Sequence, residues 1–307
     1  METRPEKLEF DIQPRRQVHL LVLPYPNGYI QQLKSPDVWS ILINHLTFLR
    51  LRTDLQKAKP EFSDLLVGVC ADCKHLEVLH TELYPLPTIK AVRTTHLKNL
   101  RVTFTNDSDS SLENVRKLIH VATEVRLACC DVQTFDFSSD VFNCLELYDS
   151  TLTPDMLLTL PVTVKTLKMW RCQATNIETR AFETFRPSVR SLSIANSDMS
   201  ILKVLNLTDC RSLHIMPLEP YNLCREDIRQ LMKVVCATVY LQKLHFNFRN
   251  VQKLEHFDGL IDCISHLRSL KNLKLDFGPK VLIKRKTLRL LQGLPNARFL
   301  EIVSIQN

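Results

Sequence analysis

The sequence predicts an α/β solenoid, a fold in which short coils stack side by side. Three observations predict it: a short apolar phrase recurs along the chain, its copies are regularly spaced, and amphipathic helical patterns lie between them. One such coil cannot bury its own apolar face, so stacking aligns the strands in a parallel sheet. We therefore expect a curved horseshoe with this sheet on its concave face and helices on its convex face.

The recurring phrase has the form apolar-x-x-apolar-x-apolar and occurs twelve times. The central residues of the copies are Leu21, Leu49, Leu79, Leu100, Val125, Leu145, Leu167, Leu192, Leu213, Leu244, Leu273 and Leu300. They lie about 25 residues apart on average, within the 20 to 29 residues of a leucine-rich repeat. Thr81 is the one polar residue at a position that the phrase requires to be apolar. The sequence thus predicts about twelve repeats over residues 16–307, after an N-terminal tail or cap at residues 1–15.

Each phrase predicts a short strand, because alternate side chains of a strand point to opposite faces of its sheet. The apolar positions then enter the core, and the residues between them face outward. The ninth copy has two possible registers. The phrase at Leu202 fits the motif better, whereas the phrase at Cys210 fits the spacing better.

The segments between the phrases predict helices that return the chain to the next strand. Ser35 and Pro36 form a helix start before aliphatic residues at helical spacing, and Thr153 with Pro154 repeats it. Three further helices are predicted from Leu112, Val115, Leu118 and Ile119, from Ile228, Leu231, Met232 and Val235, and from Leu254, Phe257, Leu260, Ile261 and Ile264.

Cysteine and serine recur at the turn that follows a strand. Cys130, Cys172 and Cys210 lie three residues after the last strand position of their phrases, and Ser150 and Ser197 share this offset. Leucine-rich repeats place Asn or Cys at this turn. We expect these side chains to pack inward, mainly as steric fillers.

The remaining motifs predict no chemistry. Cys70 and Cys73 form a lone C-x-x-C inside an apolar stretch, without a second pair at zinc spacing. We interpret the pair as part of a buried helix rather than as a metal or redox site. No catalytic signature occurs, and the carboxylates are scattered. We therefore expect no enzyme activity, no cofactor, no metal and no small-molecule substrate.

The composition excludes several classes of function. Five glycines in 307 residues can form neither a dinucleotide-binding fingerprint nor a phosphate-binding loop. No signal peptide and no apolar run of about 18 residues occurs, and ten cysteines without a secretory signal are typical of reduced thiols. We expect an intracellular protein, cytoplasmic or nuclear, without a membrane partner. A net charge of +7 is modest for this size and does not favour nucleic acid.

The outward positions of the predicted sheet form the candidate binding surface. In the first half of the chain they are basic and lead into two aromatic residues, and Trp, Tyr and Arg are enriched at interface hot spots. We expect residues 50–170 to present a basic-aromatic strip to an acidic segment of another protein. The partner-binding residues would be Arg50, Arg52, Arg101, Arg126, Tyr148, Lys168 and Trp170. The alternative is that these arginines only keep an exposed sheet soluble.

A second basic segment, residues 280–289, contains five Lys and Arg residues. Such a segment can bind phosphate or act as a localisation signal, but more often it is the solvated face of a helix. Its apolar residues Val281, Leu282, Ile283 and Leu288 are typical of a core. We therefore favour the helix-face interpretation.

The repeats resemble the irregular, cysteine-containing leucine-rich repeats of F-box proteins, the substrate receptors of SCF ubiquitin ligases. The resemblance covers nearly the whole chain. It implies recognition of a protein substrate for the ligase, with the SCF adaptor as a second partner. The F-box, a helical module that docks on the adaptor, would be absent or strongly diverged. Residues 34–66 imitate it through Pro36, Val38, Trp39, Ile41, Leu42, Leu46 and Phe62, but Ser35 replaces its opening leucine.

Two alternatives remain open. A true F-box would make residues 46–51 helical, whereas the repeat pattern makes them a strand centred on Leu49, which we favour. A chain without an F-box could instead be a standalone inhibitor or scaffold similar to ribonuclease inhibitor. Binding of the SCF adaptor distinguishes the two.

Overall fold

The computed structural model describes most of the chain as a mixed α/β protein. The described residues are 10–12, 17–22, 29–52, 60–83, 85–104, 112–129, 137, 142–153, 160, 163–174, 188–217, 221–223, 225–249, 251–254, 257–278, 281, 285–294 and 298–304. The chain divides into two compact units, unit 1 (Met1–Asp131) and unit 2 (Val132–Asn307). The array predicted from residue 16 onward is therefore described unit by unit.

Unit 1 alternates strands with helices. Its elements are β1 (Phe10–Ile12), β2 (Val18–Val22), α1 (Tyr29–Leu33), α2 (Pro36–His45), β3 (Leu46–Leu51), α3 (Pro60–Asp72), β4 (Val78–Thr81), β5 (Leu97–Thr103), a 3-10 turn (Leu112–Val115), α4 (Arg116–Val121) and β6 (Ala122–Ala128). The strands form a sheet in sequence order. β1 is antiparallel to β2, and every later pair is parallel. β1 lies inside the segment predicted as a tail or cap.

The predicted centres of the phrases align across β3 to β6. They are paired in register and buried: Leu49, Leu79, Leu100 and Val125. Residues 46–51 form β3 directly after α2, so the prediction of a strand at these residues is confirmed. The predicted helix start is confirmed as well, with Pro36 in the first turn of α2.

The register of the first phrase differs from the prediction. Leu20 rather than Leu21 pairs with Leu49, and Leu20 is the buried residue. The register shifts between Val18 and His19, so β2 has one residue fewer between its first two core positions than the other strands have. The predicted centre at Leu21 is therefore wrong, and Leu21 faces outward.

Unit 2 has the same alternation with shorter returns in its first half. Its elements are β7 (Cys144–Tyr148), β8 (Thr151–Leu152), β9 (Thr163–Trp170), β10 (Gln173–Ala174), β11 (Ser188–Ser197), a 3-10 turn (Met199–Lys203), β12 (Ser212–Pro217), β13 (Tyr221–Leu223), α5 (Arg225–Ala237), β14 (Lys243–Phe248), β15 (Val251–Leu254), α6 (Phe257–Ser265), β16 (Asn272–Phe277), α7 (Arg285–Gln292) and β17 (Phe299–Ser304).

One parallel sheet runs through unit 2 in the order β7-β9-β11-β12-β14-β16-β17. Two small parallel ladders, β8 with β10 and β13 with β15, lie outside it. The predicted centres are again register partners: Leu145, Leu167, Leu192, Leu213, Leu244, Leu273 and Leu300. All are buried except Leu300, which is 37% exposed because β17 is the last strand of the sheet.

The ninth phrase takes the register that fits the spacing. Leu213 pairs with Leu192 and Leu244, and Cys210 fills the first core position of this phrase. Leu202, where the competing phrase begins, lies in the 3-10 turn. The expectation that Cys210 lies in a turn after a strand is therefore wrong, since the residue precedes β12.

Strands β7, β9 and β11 reach the same kind of turn. In each turn one residue has a left-handed backbone, with φ between 48° and 53°: Asp149, Arg171 and Asn196. The next residue is buried, and its side chain donates to the carbonyl oxygen two residues before it: Ser150, Cys172 and Ser197. The prediction of inward serine and cysteine is confirmed at these positions, whereas Cys130 lies outside the described residues.

The helices predicted from aliphatic spacing are present. Most of the residues used for these predictions are buried: Leu42, Val115, Leu118, Ile119, Ile228, Leu231, Val235, Leu260, Ile261 and Ile264. Leu254 is an exception, because it belongs to β15 rather than to a helix. The helix predicted from Pro154 lies outside the described residues. No helix in the described ranges is long and apolar enough to cross a membrane.

Candidate functional site

The candidate site begins with one outward row of unit 1. Arg50, His80, Arg101 and Arg126 are register partners on β3, β4, β5 and β6. Each lies between two buried positions of its strand, so strand alternation turns all four side chains to the same open face. Neighbouring strands are about 4.8 Å apart, so three guanidinium groups and one imidazole ring lie close together. The prediction that Arg50, Arg101 and Arg126 face outward is confirmed.

These side chains line a surface concavity of about 300 Å³, which we call the arginine pocket. Its lining residues are Phe48, Arg50, His80, Thr81, Glu82, Arg101, Val102, Thr103, Arg126 and Ala128. They come from strands β3 to β6 and from Glu82, which follows β4. The volume is at the small end of the range for ligand pockets and suits one side chain or a small anion.

Arginines outnumber carboxylates among the described residues that line the arginine pocket. Glu82 is shared by two arginines, with Arg52 Nε at 3.5 Å and Arg50 Nη2 at 3.9 Å from its carboxylate oxygens. Arg101 is exposed, and no carboxylate of the described residues forms an ion pair with it. Among the described residues, three arginines, Arg50, Arg101 and Arg126, line the pocket together with one carboxylate, Glu82. The pocket therefore has a positive potential that attracts anions.

The surroundings of His80 favour its neutral form. Its Nε2 lies 3.2 Å from Asn99 Oδ1, and its ring packs edge-on against Phe48 with 5.4 Å between centroids. Burial, and after it the positive charge of Arg101, lowers the pKa of His80 below the usual value for histidine. An anion bound beside the ring would raise this pKa.

Unit 2 holds the other predicted site residues. Tyr148 and Trp170 are register partners, and their rings stack with 6.1 Å between centroids and 8° between planes. Trp170 is 40% exposed, so the pair presents a flat aromatic surface. Lys168 is the outward residue of β9 that comes before Trp170. Its Nζ donates to Glu146 Oε1 at 2.5 Å. Glu146 thus compensates the positive charge that Lys168 was expected to add to a basic strip.

A histidine stack lies on the outward face of unit 2. Ser193, His214 and His245 are register partners on β11, β12 and β14. The two imidazole rings are 4.3 Å apart and nearly parallel, and Ser193 Oγ lies 3.1 Å from His214 Nδ1. Strand alternation turns these side chains outward, but the sequence does not predict their contacts, because the stack depends on the register of β12 against β14.

Asp276 anchors this stack from β16. Its carboxylate lies near three basic side chains, with His245 Nε2 at 2.9 Å, Arg249 Nη2 at 3.8 Å and Lys274 Nζ at 3.9 Å. The residue is only 2% exposed. Asp276 lies at an outward position of β16, but these neighbours cover its carboxylate.

Serine, histidine and aspartate meet here, but they are not arranged as a catalytic triad. In a triad one imidazole bridges the hydroxyl and the carboxylate. Here His214 contacts Ser193, while a different ring, His245, contacts Asp276. No group of three His, Cys, Asp or Glu side chains within the described ranges could hold a metal ion.

The C-x-x-C pair lies at the end of α3. Cys70 and Cys73 are both buried, and Cys73 Sγ lies 3.6 Å from the carbonyl oxygen of Leu42. Burial raises the pKa of each thiol to about 12, so neither ionises near neutral pH. The interpretation of this pair as buried packing residues is confirmed.

Comparison with known proteins assigns no family. No protein-family model matches the chain, and no curated protein sequence matches it.

Proposed function

We propose that this chain is a non-catalytic platform that binds an acidic segment of another protein through the arginine pocket. The observation that carries the proposal is the row of three arginines, in which Arg101 is exposed and has no carboxylate partner among the described residues. Like charges on directly opposite positions of neighbouring strands repel each other. An anionic group of a partner would give Arg101 the counter-charge that no described residue supplies.

Arg101 differs from three outward lysines, each of which has a carboxylate partner on a neighbouring coil: Lys98 with Glu77, Lys168 with Glu146, and Lys274 with Glu301. An arginine whose only role is to keep the sheet soluble could be paired with a carboxylate in the same way. The departure at Arg101 therefore favours recognition over solubility.

We also propose that both units consist of leucine-rich repeats. The register-aligned leucines, their spacing and the recurring serine or cysteine turn support this assignment. In such a solenoid the parallel sheet is the concave binding surface. The arginine pocket would then lie where this class of protein binds its partners.

The resemblance to F-box receptors makes substrate recognition for an SCF ubiquitin ligase one setting for this binding. A standalone inhibitor or scaffold similar to ribonuclease inhibitor is the other. The strand Leu46–Leu51 favours the standalone setting, because it interrupts the segment that would have to fold as a helical F-box. Reproducible co-purification with the SCF adaptor would support the ligase role, and its absence with residues 34–66 intact would exclude it.

Affinity capture from a cell lysate, followed by mass spectrometry, tests the binding proposal. The wild-type chain is compared with the double variant Arg101→Glu, Arg126→Glu. A matched control, Arg285→Glu, Arg289→Glu, changes the net charge equally on exposed positions of α7. We expect the pocket variant to lose the acidic partners that the wild type recovers, whereas the control keeps them. Partners that the pocket variant retains, or that both variants lose equally, would contradict the proposal.

A further inference from the structure

We infer that Cys236 and Cys263 form a reversible disulfide that ties α5 to α6 when a peroxide oxidises the protein. Both cysteines belong to unit 2, whereas the arginine pocket is lined by residues of unit 1. The modification therefore does not depend on the binding proposed above. The contact between the thiols, the packing of the two helices and the exposure of one thiol support it.

The thiols of Cys236 and Cys263 are in contact. Cys236 lies near the end of α5, and Cys263 lies in α6. A hydrogen bond joins the two side chains. The sulfur atoms of a disulfide are about 2.05 Å apart. Thiols that already contact each other need only a small movement to reach this distance.

Close packing of α5 and α6 brings these thiols together. Gly259 of α6 lies against Met232 of α5, so closely that a Cβ atom at position 259 would be 3.3 Å from Met232 Cε. Both helices return the chain between parallel strands, so they run in the same direction. Cys236 follows Met232 by four residues, and Cys263 follows Gly259 by four residues. The thiols therefore meet one helical turn beyond the contact at Gly259.

The two thiols differ in their access to solvent. Cys236 is the one exposed cysteine among the described residues, and Cys263 is half-buried. Burial, and after it the hydrogen bond with Cys236, raises the pKa of Cys263 to about 11. A peroxide therefore reacts first at Cys236, while Cys263 remains a thiol beside it.

The disulfide forms in two steps with hydrogen peroxide as the oxidant. The sulfur of Cys236 attacks the peroxide, the O–O bond breaks, and a sulfenic acid and one water result. The sulfur of Cys263 then attacks the sulfenic sulfur. The S–S bond forms, the S–O bond breaks, and a second water leaves with the remaining thiol proton. Two thiols thus lose two electrons, which reduce hydrogen peroxide to two waters.

The other close pair of cysteines lacks this access. Cys70 lies in α3, Cys73 follows its last residue, and the two are 1% and 0% exposed. They are a natural control for a pair that is close but shielded from an oxidant. A metal ion suits Cys236 and Cys263 less well than a disulfide, because no third His, Cys, Asp or Glu completes a site within the described ranges.

The disulfide would restrain two successive coils of unit 2. It closes a loop that contains β14 and β15, the strands between α5 and α6. A closed loop has fewer conformations in the unfolded state, so unfolding of the segment becomes less favourable. Local opening of α5 and α6 should therefore become rarer in the oxidised chain.

Peptide mapping by mass spectrometry tests the modification. The chain is treated with hydrogen peroxide at neutral pH, the remaining thiols are blocked with N-ethylmaleimide, and the protein is digested without reduction. We expect one major cross-link, between the peptides of Cys236 and Cys263, about 2 Da lighter than the two reduced peptides together. Dithiothreitol should remove it. Cys144→Ser, at a half-buried cysteine of β7, should leave the cross-link unchanged.

Two variants separate the steps. Cys263→Ser should leave Cys236 as a sulfenic acid that dimedone traps, whereas Cys236→Ser should prevent the cross-link without trapping at Cys263. Hydrogen exchange gives the second readout: we expect the amides of α5 and α6 to exchange about tenfold more slowly in the oxidised wild type than in the reduced one. Peroxide should not slow this exchange in Cys236→Ser.

Unfolding separates proximity in the fold from random pairing of the ten cysteines. In urea, peroxide should give a mixture of cross-links in place of the single native one. The same mixture from the folded chain would overturn the inference, as would equal yields at Cys70–Cys73 and Cys236–Cys263. Oxidation of Cys236 to a sulfinic acid without a cross-link in the wild type would also overturn it. A cross-link that leaves the exchange of α5 and α6 unchanged would contradict the restraint on the two coils.

Discussion

Thr81 is a polar residue in a core position. Its register partners on the neighbouring strands are Leu51 and Val102, and all three side chains are buried. The hydroxyl of Thr81 has no hydrogen-bond partner in the part of the chain that the structure describes. A buried hydroxyl without a partner costs about 1–3 kcal/mol. The residue therefore weakens the sheet beside the arginine pocket.

We expect Thr81→Val to raise the free energy of unfolding by about 1 kcal/mol, since valine has the same shape without the hydroxyl. Urea denaturation followed by circular dichroism measures the change. The matched control is Thr94→Val, because the hydroxyl of Thr94 is buried and donates to Leu76 O at 2.9 Å. The control should lose stability. A Thr81→Val variant that is no more stable than the wild type would show that this hydroxyl has a partner in solution.

His214 makes the stability of unit 2 depend on pH. Burial, and after it the neighbouring His245, lowers the pKa of His214 to about 4, while Asp276 acts in the opposite direction. In the unfolded chain the ring has an ordinary pKa of about 6.5. Between these values the unfolded state binds a proton that the folded state does not bind. The contribution of His214 to stability is therefore complete above pH 6.5 and declines as the pH falls toward 4.

We expect the urea midpoint to fall between pH 7 and pH 4, and His214→Asn to make this fall smaller. Asparagine keeps a polar atom near Ser193 and cannot bind the proton. His96→Asn, at an exposed histidine of unit 1, should leave the pH dependence as it is in the wild type. If His214→Asn gave the same pH dependence as the wild type, the ring would not be the group that titrates.

At the scale of elements, the recurring turn after the strands joins neighbouring coils. Ser197 Oγ accepts a hydrogen bond from the buried N–H of Cys172 at 2.9 Å, and Cys172 Sγ donates to Leu147 O at 3.5 Å. These inward residues therefore form hydrogen bonds between coils and are more than the steric fillers predicted from the sequence. Asp149 and Asn196 suit the left-handed position before them, because their short polar side chains tolerate it.

Removal of the Ser197 hydroxyl tests the role of this turn. We expect Ser197→Ala to lower the free energy of unfolding by about 1–3 kcal/mol, because the buried N–H of Cys172 loses its acceptor. Ser197→Cys should lower it less, since a thiol is a weak acceptor and cysteine occupies the equivalent position at residue 172. Urea denaturation of the three chains gives the order. Equal stability of the alanine variant and the wild type would contradict the proposed link between coils.

At the scale of the whole molecule, apolar spacing predicted most strands because every coil buries the same positions. The outward direction of Arg101 and Trp170 followed from strand alternation. The sequence could not predict the shifted register at Val18, since an omitted residue leaves no gap in an apolar run. The burial of Asp276 was not predictable either, because it depends on basic side chains that approach from another strand and a turn.

The central claim is that partners bind at the arginine pocket. Photo-crosslinking tests it most directly, with benzoylphenylalanine placed at Thr103, which lines the pocket, or at Lys233, an exposed residue of α5. We expect the captured acidic partners to crosslink from position 103 and not from position 233. Crosslinking of the same partners from position 233, with none from position 103, would contradict the claim.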